Sequence, residues 1–525
     1  MRSAVTVFCC LAATCLALGA PDRPPSLRLP ALFSDHLVLQ ADQRVAIWGW
    51  ANPGTSVEIA FIDEKGSHML AVHGVANREK KWSAELPTLS PGAKGRLRIA
   101  GSDGEVKYVE DVAVGQVWLA GGQSNMTYRV GSANVSPETL MKAKQQAAAA
   151  NPDVRFFITA YRGADEPQDD VVGKWVVADP ENVTKCSAVA WYFGERLHRA
   201  LKQPVGLIVS AVGGTPAEAW IPRPEFDATR ASAAIWQRYR EEVSSYSPDQ
   251  DAKYQADLGV WLAKYPTPLL QFNNSHTHPR EPHSPRHPTV PVRLYNGMIH
   301  GLEPYTIKGI IWFQGDGNSQ HPEEYPELIR TLIKTWRRHW GAELPFYYAE
   351  INNMFAPQQK PVEPGPLPLI REAQNAALQL PKTDVVCTID LGIAADAHFP
   401  VKEPVGDRFA RLALSDVYRT LSGEIHSPQF SSFRIEGDRV QLSFKYAEGL
   451  FTRAATVKGF ALRSADGPWV WAEGQIQDKR ITLWNDEVRH PAAVRYAWAN
   501  NPVISIENSA GLPLRPFRTD TESPK

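Results

Sequence analysis

The sequence predicts an α/β domain built on a mostly parallel sheet and flanked on each side by a β-sandwich-like module. Three observations carry that expectation. Short apolar runs alternate with turn residues before residue 110, near-continuous apolar runs alternate with helical periodicity from 111 to 422, and strand-like alternation returns from 423 to 520. At about 150 residues per domain, 525 residues are enough for three or four cores.

The formal net charge is −1, with 22% charged residues spread without an acidic or basic block, which argues against a nucleic-acid binder or a polybasic membrane-surface protein. An aromatic content of 10% gives the chain enough apolar surface to offset ordering entropy. Residues 1–20 read as an export signal. Arg2 supplies the positive end, Val5 to Leu18 the apolar run, and Ala17, Gly19 and Ala20 the small residues before cleavage, so the mature chain is expected to begin near Pro21, outside the cytoplasm, secreted or periplasmic. No later run approaches the ~20 apolar residues of a spanning helix, so no membrane partner is expected after cleavage. Cys186 and Cys387 are the cysteines left beyond the signal. Two buried thiols on separate elements are expected, with one long-loop disulfide as the alternative. No Cys-x-x-Cys pair suggests zinc, and His276, His278, His283 and His287, spaced among prolines from Gln271 to Pro291, read as a solvated loop.

In the first module, Val45-Ala46-Ile47-Trp48-Gly49-Trp50 and Val57-Glu58-Ile59-Ala60-Phe61 flank an Asn52-Pro53-Gly54 turn, a strand and hairpin pattern. In the middle region, Val117–Ala120, Val205–Ser210, Gly309–Phe313 and Val385–Ile389 are apolar enough to be strands covered on both faces. The clearest helix is expected from Pro322. Tyr325, Leu328, Ile329, Leu332, Ile333, Trp336 and Trp340 share one face, Glu323 and Glu324 lie in the first turn, and Gly341 stops it. In the last module, Val440–Phe444 and Val457–Leu462 restore strand alternation.

Each middle-region strand ends in small and polar residues: Gly121-Gly122-Gln123-Ser124-Asn125, Ala211-Val212-Gly213-Gly214-Thr215, Gln314-Gly315-Asp316-Gly317-Asn318 and, after the fourth, Asp390 leading to Asp396-Ala397-His398. Ligands of open parallel sheets lie beyond the carboxyl ends of the strands, so these loops are expected to converge on one crevice. Acyl transfer needs a nucleophile, a base, an acid that orients the base, and donors for the oxyanion. Ser124 is the candidate nucleophile, His398 the base and Asp396 its orienting acid. The N–H groups of Ser124 and of Gly213 or Gly214, with the side-chain amide of Asn318, are candidate oxyanion donors, each worth about 3 kcal/mol of barrier. The serine segment is not a Gly-x-Ser-x-Gly elbow, because Met126 stands at the second glycine.

Taken together, these segments resemble the sialate O-acetylesterase family of SGNH-type hydrolases, from about Leu29 to Asp520. The resemblance is carried by Leu37-Val38-Leu39-Gln40 with Trp48-Gly49-Trp50, Gly122-Gln123-Ser124-Asn125-Met126, Gly213-Gly214-Thr215-Pro216-Ala217-Glu218-Ala219-Trp220, Leu294-Tyr295-Asn296-Gly297-Met298-Ile299, Trp312-Phe313-Gln314-Gly315, Asp396-Ala397-His398-Phe399-Pro400 with Gly406-Asp407-Arg408, and Val494-Arg495-Tyr496-Ala497-Trp498. It implies a three-layer catalytic domain that removes acetyl groups from sugar hydroxyls with Ser124, His398 and Asp396, the oxyanion held by Gly213 or Gly214 and Asn318. It implies an acetylated oligo- or polysaccharide as substrate, sialic acid or a plant, algal or bacterial glycan, and neither metal nor organic cofactor.

The family usually has Gln-Gly-Glu where this chain has Gln314-Gly315-Asp316, which makes Asp316 an alternative to Asp396 as the acid. Gln314, Trp220 and Tyr295 are further candidates for substrate contact, and Arg408 is expected to pair with Asp407 within a helix. Asn125, Asn134, Asn182 and Asn273 each begin an Asn-x-Ser/Thr sequon, and a glycan on Asn125 would block the serine. The function expected is a secreted carbohydrate O-acetylesterase. The alternative is a catalytically degenerate glycan-binding protein on the same fold, prompted by Asp316 and Gly317.

Overall fold

The structure is a computed structural model describing residues 26–66, 68–150, 152–264, 279 and 282–520; the export signal, Asn273, His276 and His278 lie outside the described residues. One strand of 17 residues, β1 (Val106–Gly122), belongs to two sheets. Its first part pairs antiparallel with Lys94–Gly101 of the N-terminal module, and its second part is central in a parallel sheet. Between them the chain kinks at Asp111, where φ is +51° and the register shifts between Gly95 and Leu97. Such a bulge turns a strand out of one sheet and into another. Arg155, fully buried, holds the kink by donating to Asp111 Oδ1 at 2.9 Å and to the Asp111 carbonyl. The division expected at 110–111 therefore falls inside a continuous strand, and one buried core runs from Leu27 to Ile425.

The other strands of this sheet are β2 (Val154–Thr159), β3 (Gly173–Val177), β4 (Val205–Ala211), β5 (Gly309–Phe313), β6 (Phe346–Ala349) and β7 (Thr383–Val386), in spatial order β7-β6-β5-β1-β4-β2-β3. All pairs are parallel except β2 with β3. Gly309 pairs with Trp118, so Trp312, three residues on, points to the opposite face. Trp118 meets Phe193 of α1 (Ala188–Leu201) edge-on at 5.1 Å, and Trp312 meets Trp336 of α2 (Tyr325–His339) at 5.5 Å. Helices thus cover both faces, which makes the three layers. The expected apolar face of α2 is buried, but the helix begins at Tyr325, with Glu324 as its cap and Glu323 before it.

After β7 the chain crosses into a second core. Cys387 and Ile389 pack with Leu442, Phe460, Leu462, Tyr496 and other residues of the C-terminal module, whose described strands form two four-stranded antiparallel sheets and a two-stranded one. Arg515 reaches from that module to Glu350 at 2.6 Å, both nearly fully buried, and Arg371 of α3 (Pro366–Gln374) donates to the carbonyls of Ala499 and Asn500. A buried pair of this kind costs about 3–5 kcal/mol when one partner is removed. Cys186 and Cys387 are free thiols in different cores, and burial pushes the Cys186 thiol up to about 12. In the histidine-rich segment, His283 and His287 stack at 4.5 Å, and burial, helped by His283, lowers His287 to about 4. No helix among the described residues is long and apolar enough to cross a membrane.

His426, in the link to the last module, bonds Asp384 Oδ2 at 2.8 Å and stacks on Tyr446 at 4.3 Å. Burial draws its pKa down, but the bond and charge of Asp384, with the charges of Asp416 and Glu424, raise it net above the ordinary value. The protonated form is therefore favoured by folding. Its stabilisation is complete below the unfolded pKa of about 6.5 and is lost as pH rises through the folded value. Thermal unfolding should show wild type above His426→Gln at pH 5.5, with the gap closing toward pH 9. A gap that widens with pH would contradict this ion network.

Candidate active site

The serine turn is built by two glycines. Gly121 pairs with Trp312, and a Cβ there would sit 2.9 Å from the indole ring; Gly122 has φ +135°, and a Cβ there would lie 2.3 Å from the Phe313 carbonyl oxygen. Any other residue at 122 would meet both strain and collision. The chain then enters a one-turn helix, Ser124–Thr127. Gln123 fastens this turn to the loop after β5, its Oε1 accepting from the N–H groups of Gly315 and Gly317 at 3.1 and 3.2 Å.

Because β1 lies between β4 and β5, Ser124 emerges between their loops, at the switch point where the chain order reverses. On one side, a Cβ added to Gly213 would be 3.6 Å from Ser124 Cβ, so the glycine backbone faces the serine directly. The loop after β5 carries Asn318, whose amide orientation is fixed. Its Oδ1 accepts from the Ala217 N–H and from Gln314 Nε2, both at 2.8 Å, and its Nδ2 donates to Glu218 at 2.8 Å. One of the two Nδ2 hydrogens is thereby used. Burial pushes the Glu218 carboxyl up to about 7, against the opposing bond from Asn318 and the more distant Arg238.

His398 Nδ1 lies 3.2 Å from Asp396 Oδ1, which also accepts the His398 backbone N–H at 2.7 Å. With Nδ1 facing the carboxylate, Nε2 is the nitrogen left to act as a base. The two-residue spacing works because the segment folds back on itself. Three side chains bring this loop to the serine. Asn125, beside Ser124, donates to the Ala397 carbonyl at 3.1 Å, next to His398; Asn134 donates to the His398 carbonyl at 3.4 Å and accepts from Tyr128; and Lys402 donates to Asn125 Oδ1. No hydrogen bond joins Ser124 to His398 in this conformation, a common condition before substrate tightens a site.

Lys402 is only 1% exposed and lies 3.3 Å from the centroid of Phe399, with Tyr128 at 5.0 Å and Phe313 at 5.8 Å. Burial drives its pKa well below the ordinary lysine value, with Asp396 opposing. The rings compensate part of that desolvation. The sequence reading did not single it out, since a lysine four positions after a histidine looks like a solvated helix start. Gln123 and Glu218 were also missed as site residues, although both stand in segments already recognised.

Asp316 is half-buried. Burial raises its pKa and the charge of His398 draws it down, but it is Asp396 that bonds the ring. Other expectations are corrected. Gln314 is fully buried and spends its side chain on Thr215, Asn318 and Tyr325. Trp220 is fully buried between Thr215 and Trp312, and Tyr295 is 1% exposed and bonded to Glu303 and His339. None of the three reaches the crevice surface; they brace its walls. Arg408 does not pair with Asp407. It clasps Asp390 with two bonds of 2.7 and 2.6 Å, while Asp407 pairs with Arg411 and Arg196. Asn125 is buried with both ends of its amide in use, so the blocking glycan has no place there.

An open parallel sheet whose loops converge at its switch point is a ligand-binding arrangement of α/β proteins. Comparison with known proteins narrows the class. The family described as carbohydrate esterase, sialic acid-specific acetylesterase matches residues 114–250 and 288–415, half of the chain, and the chain belongs to that family. Sialate O-acetylesterase of Mus musculus is 26% identical over 93% of this chain and 94% of its own length, and that of Homo sapiens is 25% identical over 93% and 92%. The crystal structure of a carbohydrate acetylesterase from Xanthomonas citri covers 94% of this chain and all of its own at 29% identity, with a TM-score of 0.76.

The Lys402–Asn125 bond is expected to act through the placement of the serine and histidine loops. Replacing Lys402 by Met should lower kcat about 100-fold with little change in KM, and the protein should still fold, since the cost of about 1–3 kcal/mol for leaving Asn125 Oδ1 without a donor is set against removal of a desolvated amine. Full activity in a folded Lys402→Met protein would contradict this role.

Proposed function

We propose that the protein is an exported carbohydrate O-acetylesterase working through a serine acyl-enzyme. The observation that carries the reading is the Asp396–His398 pair held beside the Ser124 turn by the Asn125–Ala397 hydrogen bond. His398 Nε2 takes the Ser124 proton as Oγ attacks the acetyl carbonyl. The oxyanion that forms is met by the backbone N–H of Ser124, that of Gly213 or Gly214, and the second Nδ2 hydrogen of Asn318. The imidazolium, stabilised by Asp396, then protonates the departing sugar oxygen. Acetyl-Ser124 is hydrolysed by water activated at the same nitrogen, releasing acetate and restoring the hydroxyl.

Export rests on the charged, apolar and small-residue sequence of positions 1–20. An intact acid–base pair supports turnover over the degenerate glycan-binding alternative, since a binding protein has no use for an imidazole oriented by a carboxylate.

Ser124→Ala should lower acetate release from p-nitrophenyl acetate and from acetylated glycans by about 10⁴–10⁶. A variant as fast as wild type would remove Ser124 from the mechanism. The two acids separate in a second measurement. Asp396→Asn should lose about 10⁴ in kcat, because the wrong tautomer of His398 is then held, whereas Asp316→Asn should stay within about tenfold, having no bond to the ring. The reverse ranking would transfer the orienting role to Asp316.

A further inference from the structure

A groove of about 1760 Å³ runs between α2 and α3 on one side and the C-terminal module on the other. Its lining includes Ser319 and Gln320, which follow the Gly317 that Gln123 holds beside the Ser124 turn, and Asp466, Gly467 and Trp469 of the C-terminal module. Small-molecule sites take about 300–1,000 Å³, so this space suits an oligomer better than one sugar. Its floor is a ladder of alternating cations and indoles: Arg463 on Trp469 at 4.8 Å, Arg495 on Trp469 at 4.7 Å and on Trp498 at 5.4 Å, and Arg518 on Trp498 at 5.2 Å. Arg495 is clamped by Asp520 at 2.8 and 2.7 Å and Arg518 by Glu372 at 2.7 and 2.8 Å, so the floor is ordered before any ligand arrives.

The charge of the lining selects among glycans. Four arginines line the groove, Arg330, Arg463, Arg495 and Arg518, and four carboxylates face them, Glu323, Glu363, Glu372 and Asp466. A polyanion gains nothing from a wall with no net charge. A neutral polyol suits such a wall, its hydroxyls bonding the carboxylates and guanidinium groups that are not spent on each other while its C–H faces rest on the proline rings and the part-exposed Trp469.

We propose that this groove holds the sugars flanking the acetylated residue, and that the substrate is an internal residue of a neutral oligo- or polysaccharide, not a free acidic monosaccharide. The assignment rests on the esterase reading of Ser124 and deepens it. The test compares wild type with Trp469→Ala and, on the opposite wall, Glu323→Ala, whose parent side chain is 69% exposed and leaves the fold unburdened when removed. With acetylated xylo-oligosaccharides from disaccharide to hexasaccharide, kcat/KM should rise with length in wild type. That gain should fall about tenfold in each variant, with p-nitrophenyl acetate hydrolysis unchanged. Calorimetry with unacetylated xylohexaose and Ser124→Ala should show binding that the same substitutions weaken, and this readout does not need turnover. Length-independent kcat/KM, hexasaccharide binding indifferent to both substitutions, or O-acetylated sialic acid turned over better than every neutral oligomer would each overturn the groove assignment. Absence of hydrolysis on all esters, with xylohexaose binding retained, would overturn the esterase reading and leave the groove standing.

Discussion

The hydrogen bond from Asn125 to the Ala397 carbonyl joins the neighbour of Ser124 to the neighbour of His398 across 272 positions of sequence. A serine is an ordinary alcohol and a histidine an ordinary base until they share a crevice. Foremost among the groups that bring them together is the Asn125 amide, itself held by a lysine that water no longer reaches. Burying an ammonium is expensive, and the three aromatic rings around Lys402 reduce that cost. Such an arrangement is rigid because each group in it has few other partners to turn to.

The rest of the molecule supports that joint from both sides. The parallel sheet places Ser124 between the loops that carry Gly213 and Asn318 simply because β1 lies between β4 and β5. The C-terminal module takes Cys387 and Ile389 into its own core, so the chain that leads to Asp396 and His398 starts from a fixed point. Arg408 adds a second hold through Asp390 and the Cys387 carbonyl. The N-terminal module shares β1, and with it the strand whose end carries the serine. Neither β module is an independent attachment to the sheet; each contributes to where the loops sit.

Much of this was legible in sequence, for definite physical reasons. Strands β1, β4 and β5 are covered on both faces and so read as apolar runs, and their loops contain the small residues that a crowded crevice requires. Strand β2 was not read because Arg155 interrupts its apolar run, and only the kink at Asp111 explains why an arginine is buried there. The four residues of β6 and the half-exposed edge strand β3 are too short or too mixed to show a period. At the site, Ser124, His398 and Asp396 could be named because their chemistry limits the residue types. The bracing roles of Gln123, Lys402 and Glu218 depend on partners far along the chain, which no local pattern encodes. For the same reason Trp220, Tyr295 and Gln314 looked like substrate contacts: an aromatic or amide beside a glycine-rich loop has the same local sequence whether it faces solvent or the core.

Family membership fixes the ester chemistry more firmly than the sugar, since the reacting acetyl group is common to every substrate while the flanking residues are not. The claim beneath all of this is that Ser124 and His398 work as one unit. Treatment with a fluorophosphonate, followed by peptide mass mapping, tests it most directly, because the reagent reports a hydroxyl activated by a base. One adduct on Ser124, formed rapidly in wild type and at least a thousandfold more slowly in His398→Ala, is the expected result. An adduct on a different residue, or labelling of Ser124 at an unchanged rate without His398, would contradict the account.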